Sequence, residues 1–182
     1  MSDLTQLPAG LPVPQDDGAA SHLPGLAMPR IELPSTAGDS IQLQAMGGGR
    51  IVLYIYPLTG RPGADLPEGW DAIPGARGCT PEACGFRDHH QDLSAAGAAR
   101  VFGLSSQSTA YQQELASRLR LPVPMLSDPG FRLASALGLP NFEAGGAGAS
   151  QGPSRGTSAP DSWGNASGCF TSRTVELPSC DC

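Results

Sequence analysis

Two cysteines carry the chemistry that this chain can do. Cys79 and Cys84 stand in the run Gly78-Cys79-Thr80-Pro81-Glu82-Ala83-Cys84-Gly85-Phe86-Arg87-Asp88, behind an unbroken apolar hexad, Ile51–Tyr56. A thiol at a loop-to-helix junction, with a second thiol five residues on, is placed for redox work, because helix N-terminal N–H groups favour a thiolate. A guanidinium from Arg77 or Arg87 would add to that effect. Burial of both thiols as packing residues is the plainer alternative, and the junction position argues against it. A zinc site built from Cys84, His89 and His90 is disfavoured, since helical ligand pairs sit three or four residues apart and a spacing of five or six splays them. His89 and His90 read as a solvated helix face. Arg87 faces either a thiolate or a carboxylate such as Asp88.

If both cysteines were helical, their Cα atoms would lie about 8–9 Å apart with side chains about 140° apart, beyond the roughly 7 Å reach of a disulfide. Pairing them requires the first turn to unwind or to lie outside the helix, which couples oxidation to local unfolding.

The elements that must position these residues can be read from the chain. Of 182 residues, 40% are hydrophobic, enough for one domain with its own core. Residues 1–25 carry Pro8, Pro12, Pro14 and Pro24 with little apolar periodicity and read as a flexible arm, with order beginning near Leu26. Arg30–Leu33 and Ser40–Leu43 form a hairpin about Gly38-Asp39. Ile51–Tyr56, β-branched and aromatic throughout, is a central strand buried on both faces. After Pro57 a long Gly- and Pro-rich loop runs to Gly78, and such loops are uncommon unless functional; Trp70 within it reads as an anchor over apolar surface. Thr80 is the expected N-cap of a helix, with Pro81 in its first turn and Ala83, Phe86 and Leu93 on its inner face. A strand at Arg100–Leu104, a helix at Thr109–Leu121, a strand at Pro124–Leu126 and a helix at Phe131–Leu137 follow. Strands alternating with helices specify an α/β sheet over residues 26–143. Residues 144–182 hold seven Gly and seven Ser, which leaves little to bury and reads as an irregular tail.

The formal net charge is -6, and the 11 basic residues, all arginine, are scattered, which argues against a nucleic-acid surface. No segment approaches the roughly 20 apolar residues of a membrane span, and residues 1–10 lack the pattern of a secretory signal, so the expected location is cytoplasmic. Five cysteines, three of them (Cys169, Cys180, Cys182) near the C-terminus, do not form a secreted disulfide framework; Cys180-Asp-Cys182 reads as incidental.

These stretches, from Leu53-Tyr-Ile-Tyr-Pro57 through the Cys79 motif, Val101-Phe-Gly-Leu-Ser-Ser106 and Pro124-Met-Leu-Ser-Asp128, resemble a peroxiredoxin of the Q type, the bacterioferritin comigratory protein family. The resemblance covers residues 24–143. It implies a thioredoxin-like fold with a central mixed sheet flanked by helices, a peroxidatic Cys79, a resolving Cys84, peroxide as substrate, and reduction by thioredoxin or a similar thiol donor. No cofactor or metal is implied, and the chain is expected to be a monomer or weak dimer. The chain departs from the family in three ways. Ala76 stands where a Thr or Ser is expected, and Thr59 or another hydroxyl of the long loop is the candidate to replace it. The interval between Pro57 and Cys79 is 21 residues where the family has six. The family's late strands, C-terminal helix and active-site Arg are not evident, so the C-terminal part reads as incomplete, with Arg173 as the candidate Arg. A frameshift near residues 144–158 would explain this tail, since residues 169–182 taken two bases out of register can encode strand-like and helix-like runs.

In the resulting reaction, the Cys79 thiolate attacks the O–O bond, and Cys84 captures the sulfenic acid as a disulfide. A disulfide reductase is the rival enzyme, although its cysteines ordinarily sit three apart. An inactive, truncated binding module is the rival from another class.

Overall fold

The computed structural model describes residues 7–13 and 18–141. A small antiparallel hairpin pairs β1 (Glu32–Pro34) with β2 (Ser40–Gln42), turning at Gly38 with φ of 94°. The main sheet is parallel, in the order β3 (Arg50–Ile55), β4 (Ala98–Ser105), β5 (Met125–Ser127). An antiparallel bridge from Ser35 to Leu126 joins the hairpin to β5 and gives the sheet its mixed character.

The alternation along β3 builds two cores. Ile51, Leu53 and Ile55 point to one face, where they meet Phe102, Leu104, Leu126 and, from α4 (Arg132–Leu137), Leu133 and Leu137. Tyr54 and Tyr56 point to the other, against Val101 and Met125, Leu115 and Leu119 of α3 (Thr109–Leu119), and Cys79 and Ala83 of α1 (Cys79–Asp88). This is what a parallel strand covered on both sides requires of its sequence.

Gly103 of β4 has a packing reason to be Gly. A Cβ there would fall 2.5 Å from Met125 and 2.8 Å from the Tyr54 ring, whose hydroxyl donates to Met125 Sδ at 3.4 Å. Asp128 serves α4 in the same local way. Its Oδ1 accepts from the N–H of Arg132 at 2.8 Å, and its Oδ2 from those of Leu133 at 2.8 Å and Ala134 at 3.2 Å, satisfying three otherwise unpaired donors.

Several expectations need correction. Ile51–Tyr56 is buried on both faces, but β4 is the middle strand; among the described residues β3 has a strand on one edge alone. The helix carrying the cysteines starts at Cys79, and Thr80 is not its cap. A 3-10 turn, Ala76–Gly78, opened by Gly75 at φ 77°, runs directly into it and leaves Thr80 buried at 2% exposure. That helix also ends at His89, after which α2 (His90–Ala95) follows with Leu93 half-buried against the core. Packed structure begins ahead of Leu26, because Ala20 is buried and His22 Nε2 lies 2.8 Å from the Leu137 carbonyl oxygen at the end of α4. The expectations for residues 144–182, including the frameshift, Arg173, Cys169 and Cys180-Asp-Cys182, lie outside the described residues.

Candidate active site

The site lies where β3 ends and α1 begins. Pro57 leaves the strand and its carbonyl accepts from Ser105 Oγ of β4 at 3.1 Å, which fixes the start of the loop. Thr59 is fully buried and is held through its backbone. Its N–H donates to Gln107 Oε1 at 3.0 Å, and its carbonyl accepts from Gln107 Nε2 at 3.3 Å and from the Tyr111 hydroxyl at 2.9 Å. Arg118 adds a bond to the Gly60 carbonyl at 3.1 Å, and Arg61 lies 4.1 Å over the Tyr111 ring. The long loop beyond does not float. Trp70, Ile73 and Ala76 form a small core of their own with Leu58 and Leu66, and Trp70 Nε1 donates to the Ala76 carbonyl at 3.1 Å, so Trp70 is the anchor its sequence context suggested. One end of that small core is the residue three before Cys79.

Cys79 is therefore enclosed from both sides, at 1% exposure, and its thiol donates to the Ala76 carbonyl at 3.4 Å. The N–H of Leu58 and its own N–H face the sulfur and favour a thiolate, while burial opposes it more strongly, and the Cys79 thiol is pushed up to about 12. This corrects the expectation of a lowered pKa: burial is the cause, and among the described residues no cation beside the sulfur offsets it. Arg77 turns away to pair with Asp71 at 2.7 Å. Arg87 pairs with its neighbour Asp88 at 2.7 Å, donates to the Leu119 carbonyl at the end of α3 at 3.0 Å, and lies beside Cys84 rather than Cys79. Asp88 first, and then the Cys84 sulfur, hold that guanidinium in its charged form.

Thr59, the candidate for the missing hydroxyl, gives its Oγ1 proton to Gln107 Oε1 at 3.0 Å. It serves the loop, and the backbone N–H of Leu58 next to it takes the position facing the sulfur. Cys84, half-buried in the second turn of α1, is free, as is Cys79. Between them on the inner face Ala83 is fully buried, and Phe86 stacks on Tyr54 with ring centroids 4.0 Å apart at 10°. Both cysteines are thus helical, about 140° apart around α1, and a disulfide between them demands that the helix open. His89 is exposed, with Nδ1 3.1 Å from an Asp92 carboxylate oxygen, and no group of three or more potential metal ligands occurs among the described residues.

Two groups were not singled out by sequence. Leu58 contributes through its backbone, which leaves no trace in residue type. Glu82, in the first turn of α1, is largely buried, with Oε1 lacking a hydrogen-bond partner among the described residues, and burial pushes its carboxyl up to about 8.

The Redoxin family pattern matches residues 23–153. The chain belongs to the Redoxin family. It is 32% identical over 117 residues to the chloroplastic peroxiredoxin Q of Triticum aestivum, covering 64% of this chain and 46% of that protein. The chloroplastic peroxiredoxin Q of Arabidopsis thaliana is 33% identical over 116 residues, again covering 64% and 46%. The chain thus spans about half the length of the curated relatives it matches. Among solved structures, the peroxidoxin BcpB of Mycobacterium tuberculosis superposes with a TM-score of 0.52 at 27% identity, covering 67% of this chain and 70% of that one. The thioredoxin-like α/β fold and the Q-type resemblance read from the sequence agree with these relatives.

Proposed function

We propose that this chain is a thiol peroxidase that reduces hydrogen peroxide or small organic hydroperoxides, with Cys79 as the attacking thiol, Cys84 as the resolving thiol in the same chain, and thioredoxin or a similar dithiol protein as reductant. The observation that carries this reading is the enclosure of Cys79. At 1% exposure its sulfur lies beneath the loop and the start of α1, so a two-oxygen substrate reaches it with less opening than a protein disulfide needs. That separates the peroxidase from a disulfide reductase, whose attacking sulfur must meet a macromolecule.

The balance is simple. The Cys79 thiolate attacks the distal oxygen, the O–O bond breaks, and the sulfur becomes a sulfenic acid while the other oxygen leaves and takes a proton to become water or an alcohol. The Cys84 thiol then displaces hydroxide from that sulfur, which leaves as water, and a disulfide forms. An incoming dithiol reduces the disulfide and is itself oxidised. Arg87, whose guanidinium hydrogen-bonds to the Cys84 side chain, is the supporting residue for the second step, where it holds the resolving sulfur. Placement in the cytoplasm, where reductants keep both thiols free, belongs to the same reading.

Coupled turnover distinguishes the candidates. The full chain with thioredoxin, thioredoxin reductase and NADPH is expected to consume hydrogen peroxide, and to lose that activity on Cys79→Ser. Reduction of insulin disulfides in preference to peroxide would favour the reductase, and neither activity would favour a binding module.

A further inference from the structure

Among the described residues no guanidinium stands beside the enclosed Cys79 thiol, and one group there is placed to take its proton. Glu82 lies three residues after Cys79 on α1, so the two side chains leave the same face of the helix with Cβ atoms roughly 5–6 Å apart. The carboxyl is turned inward. Its Oε1 is buried and accepts no hydrogen bond, an arrangement that costs free energy unless the oxygen has a use.

The groups that face it are few. On β3, Tyr54 and Tyr56 lie near enough to feel its charge, both held neutral by burial, with their hydroxyls given to Met125 Sδ and Gln112 Oε1; on α1, Cys79 feels it as well. The two nearby arginines in sequence are occupied elsewhere, Arg77 by Asp71 and Arg87 by Asp88. Burial alone raises the Glu82 carboxyl, with no cation among the described residues to counter it.

We propose that Glu82 is the proton relay of the attacking thiol: its carboxylate takes the proton from Cys79 Sγ, and the carboxylic acid then gives it to the oxygen that leaves the peroxide. This rests on the peroxidase reading. The steps balance without any further reactant. Thiol and carboxylate become thiolate and carboxylic acid; the thiolate and hydroperoxide become sulfenic acid and an alkoxide or hydroxide; the latter takes the Glu82 proton and the carboxylate is restored. The enclosed site carries one negative charge throughout, so no second charge is buried at any stage. The ionised Glu82 that repels a Cys79 thiolate is neutralised in the step that forms it. A carboxyl pushed up to about 8 is also matched to this task, because an acid whose pKa lies near neutrality both accepts and donates protons at working pH.

Leaving-group chemistry tests the relay. Hydrogen peroxide expels hydroxide, which needs a proton, whereas peracetic acid expels acetate, which does not. In a Cys84→Ser background, oxidation of Cys79 is followed by stopped flow with each oxidant, with and without Glu82→Gln. The relay predicts that Glu82→Gln slows both reactions, because either oxidant needs the proton removed from Cys79, and slows the hydrogen peroxide reaction about 100-fold more than the peracetic acid reaction, the order of a general acid's contribution. Removing a merely repulsive charge would instead ease thiolate formation, so an unchanged or faster hydrogen peroxide reaction overturns the relay and leaves the peroxidase intact. Equal slowing with both oxidants assigns Glu82 to structure and overturns it as well. Inertness of Cys79 toward both oxidants in the parent protein overturns the peroxidase reading itself. Glu82→Asp, shorter by one methylene but still an acid, is expected to recover at least part of the hydrogen peroxide rate.

Discussion

Oxidation should open α1, and the extent of that opening can be worked out from the helix. Cys79 and Cys84 are separated by five residues in regular helix, which places their Cα atoms about 8–9 Å apart against the roughly 5.5–6 Å that a disulfide prefers. Closing the gap means abandoning helical geometry over Cys79–Cys84. The amides of Ala83, Cys84, Gly85 and Phe86, which bond to carbonyls one turn back, lose their partners. At about 1 kcal/mol for each of four bonds the loss is about 4 kcal/mol, or about 10³-fold in exchange protection. The Phe86 stack on Tyr54 and the burial of Ala83 must go with it, and the Arg87 bond to the Leu119 carbonyl is the next to yield. Hydrogen exchange of the reduced and disulfide forms, read by mass spectrometry of peptides spanning 79–88, should show that loss. Peptides from β4 over 101–104, buried in the middle of the sheet, should not change. Full retention of protection over 83–86 after quantitative disulfide formation would refute the reasoning, because the bond would then have formed in a helix too long for it.

Glu82 has a consequence for stability that needs no substrate. Its carboxyl is pushed up to about 8 in the folded chain, so its contribution is fully present below the ordinary carboxylate value and is lost as pH rises toward and through 8; urea midpoints should fall from pH 5 to pH 8, and Glu82→Gln should flatten the decline. A midpoint equally steep in the variant would remove Glu82 as the cause. Asp128→Ala leaves three N–H groups at the start of α4 without their acceptor and is expected to cost about 1–2 kcal/mol in chemical denaturation, whereas a loss below a few tenths would show that the cap is idle. Gly103→Ala drives a methyl into Met125 and Tyr54 and is expected to cost about 1–3 kcal/mol, with the Tyr54–Phe86 stack disturbed in near-ultraviolet dichroism; an unaltered spectrum and midpoint would show that the sheet yields freely.

The parts of this fold that sequence revealed are those set by local pattern. The hexad Ile51–Tyr56 alternates between two faces that both need covering, so it could be recognised as a buried strand, and α3 announced itself through Leu115 and Leu119 at helical spacing. Its place in the sheet was not local: which strand lies in the middle depends on pairing across roughly fifty residues, and β4 took it. The start of α1 was missed by two residues because a 3-10 turn from Gly75 delivers the chain already helical, so the Thr80-Pro81 signature had no end to cap. Cys79 and Cys84 were evident from type and spacing. The surroundings of Cys79 were not, because they depend on side chains choosing their partners: Thr59 choosing Gln107, Arg77 choosing Asp71, and Glu82 coming near the tyrosines of β3. An acid three residues past the attacking cysteine was visible, but burial decides whether it compensates a dipole or holds a proton.

The central claim is that Cys79 is the residue that meets peroxide. One equivalent of hydrogen peroxide added to the Cys84→Ser chain, trapped with dimedone and mapped by peptide mass spectrometry, measures this directly. The account predicts stoichiometric labelling of the sulfenic acid at Cys79, and none in Cys79→Ser under the same conditions. Labelling that persists at another cysteine in Cys79→Ser, at the same rate, would contradict it.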